Sequence, residues 1–178
     1  MSVVVTRTNR NGSDAWKVQL TRVLPLLGHR NWIVVADSAY PAQSNHGIET
    51  IATGADHFEV LQATLAAVEA STHVRADIYL DAELDSVYER DAPGVSRYRR
   101  RLAGIIENLE CNPMLHDQII AELDKSAQLF RILILKTTLA IPYTSIFIRL
   151  ECGYWTSNAE DRLRHSIATH KARTAILS

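Results

Sequence analysis

Short apolar runs alternate along this chain with longer segments in which apolar residues recur at helical spacing. The runs are rich in valine, isoleucine and leucine, a composition typical of strands that are buried on both faces of a sheet. Strands are predicted at residues 2–6, 32–36, 48–52, 76–80, 129–135 and 143–150. Because helical segments separate most of these strands, the pattern predicts an α/β fold: a single domain with a mainly parallel sheet that is flanked by helices on both faces.

Capping and turn residues mark the expected helix ends. Asp56 and Ser157 each stand three residues before a glutamate, which is the spacing of a capping box. Gly28 suits the left-handed position that follows a helix. Asn112 and Pro113 suit the cap and the first position of another helix. Helices are accordingly predicted at residues 14–27, 56–70, 96–109, 113 onward and 157–170.

Length, charge and cysteine content narrow the class of protein. A chain of 178 residues has the size of one domain, and a net charge of -1 gives it no general attraction to nucleic acids or anionic membranes. No apolar run approaches the roughly 18 residues of a membrane span, and the N-terminus lacks the pattern of a signal peptide. Cys111 and Cys152 are too few for a disulfide framework and are expected to be reduced thiols. These features predict a cytoplasmic protein with no membrane partner.

Polar residues that can do chemistry stand at the ends of predicted strands. Asp37 directly follows the apolar run 33–36, and ligands of open α/β sheets bind beyond the carboxyl ends of strands. The same aspartate can equally cap the following turn. Tyr143 opens the last predicted strand, and Ser145, two residues on, is expected on the same side of it. A tyrosine at the start of a strand is also common without any function.

Two histidines are candidates for proton transfer, because the ordinary histidine pKa is close to neutral pH. His29 follows Gly28 and is expected on a turn. From its position alone, a surface histidine beside a helix C-terminus is the simpler interpretation. His116 begins a helical segment, where an exposed first-turn residue is again the simpler interpretation.

The chain has one basic segment, residues 97–101, with four arginines. It resembles a nucleic-acid patch, but it lies on an amphipathic helix and no aromatic platform or known binding motif accompanies it. A solvated basic face is therefore the favoured interpretation, and no nucleic-acid partner is predicted.

Metal and cofactor binding have little support in the sequence. His46, His57 and His73 are not paired at the spacing of zinc ligands, and the two cysteines are far apart. The chain has no GxSxG, no P-loop and no GxGxxG motif. The sequence therefore predicts neither a metal nor an organic cofactor.

Two segments resemble signatures of the D-ribose pyranase / L-fucose mutarotase family. Residues 28–41 read GHRNWIVVADSAYP, which is similar to the family's N-terminal Gly-His pair, apolar strand, acid and nearby proline. Residues 142–148 read PYTSIFI, which is similar to the family's Tyr-x-Asn ahead of an apolar strand. The resemblance covers roughly residues 14–153. Within a single domain spanning 1–178, the segment from about 154 to 178 is thus expected to be a helical extension.

The resemblance implies a function and a set of site residues. Family members interconvert the ring forms and anomers of free monosaccharides by acid/base ring opening, without a cofactor. The family's catalytic histidine falls on His29, and its sugar-binding aspartate and tyrosine fall on Asp37 and Tyr143. His116 is the best match to a further sugar-contacting residue. Ser145 stands where the family has asparagine, a departure that favours a second hypothesis: a non-catalytic sugar-binding protein with a role in transport or regulation.

His29 and Asp37 are eight residues apart across a predicted strand, a separation of up to roughly 25 Å if the link is extended. Both can line one small-sugar site only if the chain doubles back or two subunits share the site. The resemblance implies ring-like homo-oligomers with interfacial sites, which fits the second arrangement. We therefore expect a homo-oligomer whose sites lie at subunit interfaces. A structural or nucleic-acid-binding module is a third, less favoured hypothesis.

Overall fold

Six strands form one sheet at the centre of the protein. The computed structural model describes residues 14–176, with side chains as far as residue 170, so the strand predicted at residues 2–6 lies outside the described part. The strands are β1 (Trp32–Ala36), β2 (Ile48–Ala52), β3 (Val74–Asp81), β4 (Cys111–Met114), β5 (Ile132–Lys136) and β6 (Ile146–Cys152). Their order across the sheet is β2-β5-β1-β6-β3-β4.

Five of the strands run in one direction and β6 runs against them. β1 pairs in parallel with β5, as does β2, and β3 pairs in parallel with β4. β6 lies between β1 and β3 and is antiparallel to both. We call the end of the sheet where the five parallel strands finish its carboxyl end, and the opposite end its amino end. Because β6 is reversed, it begins at the carboxyl end and finishes at the amino end.

Helices cover both faces of the sheet, as predicted. The α-helices are α1 (Ala15–Val23), α2 (His57–Glu69), α3 (Val95–Ile106), α4 (His116–Ser126) and α5 (Ser157–Ile176). The first four pack on the sheet, whereas α5 buries none of its described side chains. Side chains of α1, α2 and α3 pack with one face of the central strands in the larger core, which contains Ile33, Val35 and Ile148. Side chains of α4 pack on the other face, with Val34 and Phe147. Among the described residues, no helix combines the length and apolar character needed to cross a membrane.

The prediction that Asn112 caps a helix is wrong. Residues 111–114 form β4, and Pro113 is tolerated there because β4 lies at the edge of the sheet. The Asn112 amide donates sideways to Asp77 Oδ1 and to the Ile78 carbonyl, which ties β4 to β3. The helix begins only at His116, whose backbone N–H donates to the Glu83 carboxylate at 3.0 and 3.1 Å.

Two other helix ends also differ from their predictions. Arg30, not Gly28, has the left-handed backbone after the first helical segment, with a φ of 74°. The cap of α5 is Thr156 and not Ser157, because the Thr156 hydroxyl accepts from the Ala159 N–H at 3.2 Å. The Asp56 cap is confirmed: its carboxylate accepts from the backbone N–H groups of Phe58 and Glu59.

Candidate functional site

Asp37 and Ser145 meet at the carboxyl end of the sheet. Asp37 follows β1, and Ser145 immediately precedes the neighbouring strand β6. The Ser145 hydroxyl donates to Asp37 Oδ2 at 3.1 Å and accepts from the Asp37 backbone N–H at 3.3 Å. Ser145 is 2% exposed, and its only proton is given to Asp37. The other carboxylate oxygen, Oδ1, accepts from the Ala39 backbone N–H at 2.7 Å, so Asp37 also caps the turn that follows it, and the two contacts together orient the carboxylate.

Tyr143 and His116 extend the same cluster. Tyr143 lies in a turn before β6, with a φ of 57°, and is 39% exposed. Its ring lies edge-on to that of His116, with centroids 5.7 Å apart. The prediction that Tyr143 and Ser145 project from the same side of a strand is wrong, because both precede β6. A left-handed backbone at a tyrosine is unfavourable, and such strain is typically found where a side chain must point in a set direction.

A buried carboxylate that the sequence analysis did not single out holds His116. Asp81 ends β3, its side chain is fully buried, and its Oδ1 lies 2.9 Å from His116 Nδ1. Burial raises the pKa of Asp81, and the hydrogen bond to His116 opposes that shift. The nearby charge of Asp37 also raises the pKa of Asp81. The carboxyl end therefore carries two carboxylates and a histidine.

His29 lies at the opposite end of the sheet. It stands on the turn before β1, and its Nδ1 lies 2.7 Å from Glu151 Oε2 near the end of β6. Strand β1 alone is roughly 17 Å long, so within one chain His29 is far from Asp37. His29 lines a cleft of about 630 Å³ whose wall also includes Glu151, Trp155 and Glu160. The described structure thus brings four of the five predicted site residues together and leaves His29 apart.

A buried polar network centred on His57 contacts the residues next to the carboxyl-end cluster. His57 is fully buried, with Nδ1 3.2 Å from the Thr137 hydroxyl and Nε2 3.1 Å from the Tyr98 hydroxyl. Tyr98 donates to the Thr144 carbonyl at 2.8 Å, and the Thr137 backbone N–H donates to the Ala36 carbonyl at 2.9 Å. The network therefore holds the residues that directly precede Asp37 and Ser145.

The hydroxyls on either side of His57 already donate to backbone carbonyls. Thr137 donates to Ala36 at 2.8 Å, and Tyr98 donates to Thr144. A neutral His57 therefore donates to one of these hydroxyls, through the ring nitrogen that carries its proton. Burial lowers the pKa of His57 from 6.5 to about 4, while the charges of Asp56 and Asp37 oppose the shift. The folded protein therefore keeps His57 neutral at pH values where the unfolded chain binds a proton.

We expect His57 to make the protein acid-sensitive. Above pH 6.5 His57 is neutral in both the folded and the unfolded protein. As the pH falls from there toward about 4, only the unfolded chain binds the proton, so the free energy of unfolding decreases. The contribution lost between about pH 7.5 and pH 5 is about 2 kcal/mol. Urea unfolding of the wild type and His57→Gln, at one protein concentration and both pH values, measures it. Equal losses in the two proteins would contradict this account.

Four residues of these contacts are not singled out by the sequence analysis, and three of them share one reason. Asp81 ends a strand just as Asp37 does, so the rule that found Asp37 also applied to Asp81. Glu151, Tyr98 and Thr137 carry no local signal, because each reaches its partner through strand pairing or helix packing. Glu151 in particular meets His29 only because β6 is antiparallel.

The basic segment of α3 is partly engaged within the chain. Arg99 Nη1 donates to the carbonyls of Leu84, Asp85 and Val87. The Arg101 guanidinium lies over the Phe58 ring, 4.2 Å from its centroid. No group of three or more histidine, cysteine, aspartate or glutamate residues in the described part of the chain is arranged to hold a metal ion.

Comparison with known proteins gives one family match and ten matching solved chains, which include two RbsD / FucU proteins of TM-score 0.50. Residues 13–152 match the model of the RbsD / FucU transport protein family, so the match ends at the last residue of β6, before α5. RbsD from Bacillus subtilis, solved with D-ribose, is 16% identical, with a TM-score of 0.50 and coverage of 85% of this chain and 98% of that one. FucU from Bifidobacterium longum is 18% identical, with a TM-score of 0.50 and coverage of 75% and 94%.

Another structural match is the fucose mutarotase of Streptococcus pneumoniae, solved with L-fucose. It is 19% identical, with a TM-score of 0.49 and coverage of 75% of this chain and 91% of that one. No curated protein sequence matches the chain significantly. At these identities the two matches with a TM-score of 0.50, RbsD and FucU, confirm the predicted fold class with its mainly parallel sheet.

Proposed function

Because the chain belongs to the RbsD / FucU transport protein family, we propose that it is a monosaccharide isomerase that interconverts the ring forms or anomers of a free sugar such as ribose or fucose. The observation that carries this proposal is the cluster of Asp37, Ser145, Tyr143 and His116 at the carboxyl end of the sheet. Carboxylate, phenol and imidazole groups within one small area suit a ligand that carries several hydroxyls.

Each side chain of the cluster has its own role in binding the sugar. Asp37 accepts hydrogen bonds from sugar hydroxyls, and Ser145 keeps its carboxylate oriented. Tyr143 is the most exposed of the four, so its ring is available to pack against the sugar while its hydroxyl hydrogen-bonds. His116 offers Nε2, since its Nδ1 is taken by Asp81.

Ring opening is a proton exchange at two oxygens. A base removes the proton of the anomeric hydroxyl, the bond between the anomeric carbon and the ring oxygen breaks, and a carbonyl forms while an acid protonates the ring oxygen. Reclosure by the same or another hydroxyl, on either face of the carbonyl, returns both protons. No electrons are gained or lost, so the reaction needs no oxidant or reductant. We assign His29 as a proton-transfer group.

This assignment requires more than one copy of the chain. His29 and Asp37 lie at opposite ends of the sheet, so a sugar held by Asp37 meets His29 only if a neighbouring copy supplies it. We therefore propose a homo-oligomer whose sugar sites lie between subunits. A fully active monomer would contradict this arrangement.

One observation favours a second candidate function, a non-catalytic sugar-binding protein with a role in transport or regulation. Ser145 replaces the asparagine of the Tyr-x-Asn motif, and its hydroxyl is engaged with Asp37. A site that has one fewer free polar group can still bind a sugar. It holds the sugar less precisely, and catalysis depends on that precision.

Saturation-transfer NMR on a panel of free aldoses, including ribose and fucose, tests both candidates. We expect the wild-type protein to speed the exchange between ring forms or anomers of one sugar. We expect His29→Ala to abolish that acceleration and His46→Ala, which changes an exposed histidine outside the cluster, to leave it intact. Line broadening without faster exchange would favour the binding protein, and no effect on any sugar would overturn the proposal.

A further inference from the structure

Two histidines of this chain each hold a carboxylate through the same ring nitrogen. Nδ1 of His29 lies 2.7 Å from Glu151 at the amino end of the sheet. Nδ1 of His116 lies 2.9 Å from Asp81 at the carboxyl end. Both rings are partly exposed, and among the described residues Nε2 has no hydrogen-bond partner in either. Each pair therefore presents the same nitrogen to a ligand.

The Glu151 carboxylate is held by contacts on both of its oxygens. Oε2 binds His29, and Oε1 lies 2.9 Å from Arg149 Nε. The side chain is only 17% exposed. Arg149 is itself anchored, because its Nη2 donates to Asp77 at 2.6 Å. A carboxylate fixed in this way sets the direction in which the His29 ring points.

His116 is held at two points. Its ring is bonded to Asp81, and its backbone N–H is bonded to Glu83. The Asp81 side chain is fully buried, and its second oxygen, Oδ2, has no partner among the described residues. The hydrogen bond to His116 is therefore the one that compensates the burial of this carboxylate.

Resting on the isomerase function proposed above, we propose that ring opening uses two histidine–carboxylate pairs, one from each of two neighbouring copies. His116 of the copy that binds the sugar is a second catalytic residue, and His29 comes from the other copy. One Nε2 takes the proton of the anomeric hydroxyl while the other gives a proton to the ring oxygen, and reclosure returns both. Glu151 and Asp81 are positioning residues that act through their histidines.

A carboxylate on Nδ1 has two physical effects. It fixes the tautomer, so that a neutral ring always presents the Nε2 lone pair to the sugar. It also stabilises the imidazolium that forms when Nε2 takes a proton. Replacing the carboxylate with an amide removes the second effect, so the limb of the pH–rate profile that reports the histidine moves to lower pH.

Exchange rates and pH–rate profiles of Glu151→Gln and Asp81→Asn test the proposal, with oligomeric state and thermal stability measured for each variant. We expect both to slow exchange by about 10-fold or more and to shift the profile to lower pH. The control variants are Glu160→Gln and Asp117→Asn. Glu160 lines the same cleft as His29 without a hydrogen bond to it, and Asp117 is exposed beside His116. Both controls should match the wild type.

His116→Ala keeps the proposal testable if Asp81→Asn fails to fold. We expect it to slow exchange by about 100-fold or more and to recover part of the rate when imidazole is added. A folded His116→Ala at the wild-type rate would overturn the role of His116. Unshifted profiles in both carboxylate variants, with His29→Ala inactive, would overturn the positioning roles and leave the isomerase function standing. A wild-type protein without exchange activity would overturn that function instead.

Discussion

Mixed oligomers of His29→Ala and Asp37→Asn should regain exchange activity that neither variant has alone. If each site takes Asp37 from one copy and His29 from another, random mixing of equal amounts makes about a quarter of the sites fully wild-type. The two chains, co-expressed with different tags and purified on both, give the required sample. The exchange rate per site is then expected to be about a quarter of the wild-type rate.

The matched control combines two variants of the same end of the sheet. In mixtures of Asp37→Asn with His116→Ala, every carboxyl-end cluster carries one of the two changes, so no site is complete and no recovery is expected. Recovery in this control, or none in the first mixture, would show that the sites are not divided between copies as proposed.

Phe147→Ala should have the largest effect on stability among the residues that border the cluster. Phe147 is fully buried near the start of β6, where it pairs with Val34 of β1 and Tyr79 of β3. Its ring centroid lies 6.4 Å from that of His116. Truncation of a buried phenylalanine costs about 3–5 kcal/mol, a large share of the roughly 5–15 kcal/mol that stabilises a domain.

Urea unfolding at fixed protein concentration measures this loss. Leu129→Ala is the control, because Leu129 is 84% exposed and its truncation should change the free energy of unfolding by less than about 0.5 kcal/mol. Phe147→Leu, which keeps most of the volume, should cost clearly less than Phe147→Ala. A loss below about 1 kcal/mol for Phe147→Ala would mean that the site can collapse around the missing ring.

Local signals predicted most of the elements of this fold. The continuous apolar run of β1 and the Asp56 cap of α2 were sufficient, because burial on both faces and capping act within a few residues. The same reasoning failed at Asn112, whose side chain is bonded to β3 and not to the helix that follows. An Asn-Pro pair ahead of a helical pattern looks the same in the sequence whether the asparagine caps the helix or lies in an edge strand. Only the tertiary contacts of the asparagine distinguish the two.

The candidate site divides in the same way. Asp37, Tyr143 and Ser145 stand at predicted strand ends, and His116 is a candidate from its chemistry. The family resemblance implies sugar-site roles for Asp37, Tyr143 and His116. Their arrangement depends on the neighbouring positions of β1 and β6, which no local pattern gives. Glu151 reaches His29 only through pairing between distant segments, so no local signal marks it. Asp81 differs, because it stands at a strand end and the rule that singles out Asp37 applies to it too.

The reversed strand β6 has one more consequence. Residues 143–145 lead into it at the carboxyl end, and Glu151 lies near its other end, beside His29. In the proposed assembly each copy of β6 thus borders two different sugar sites, one at each end. A shift of this strand along its axis, caused by ligand at one site, would move the groups that serve the other. Adjacent sites would then communicate through the sheet itself, and sugar binding by the oligomer would deviate from a simple hyperbola.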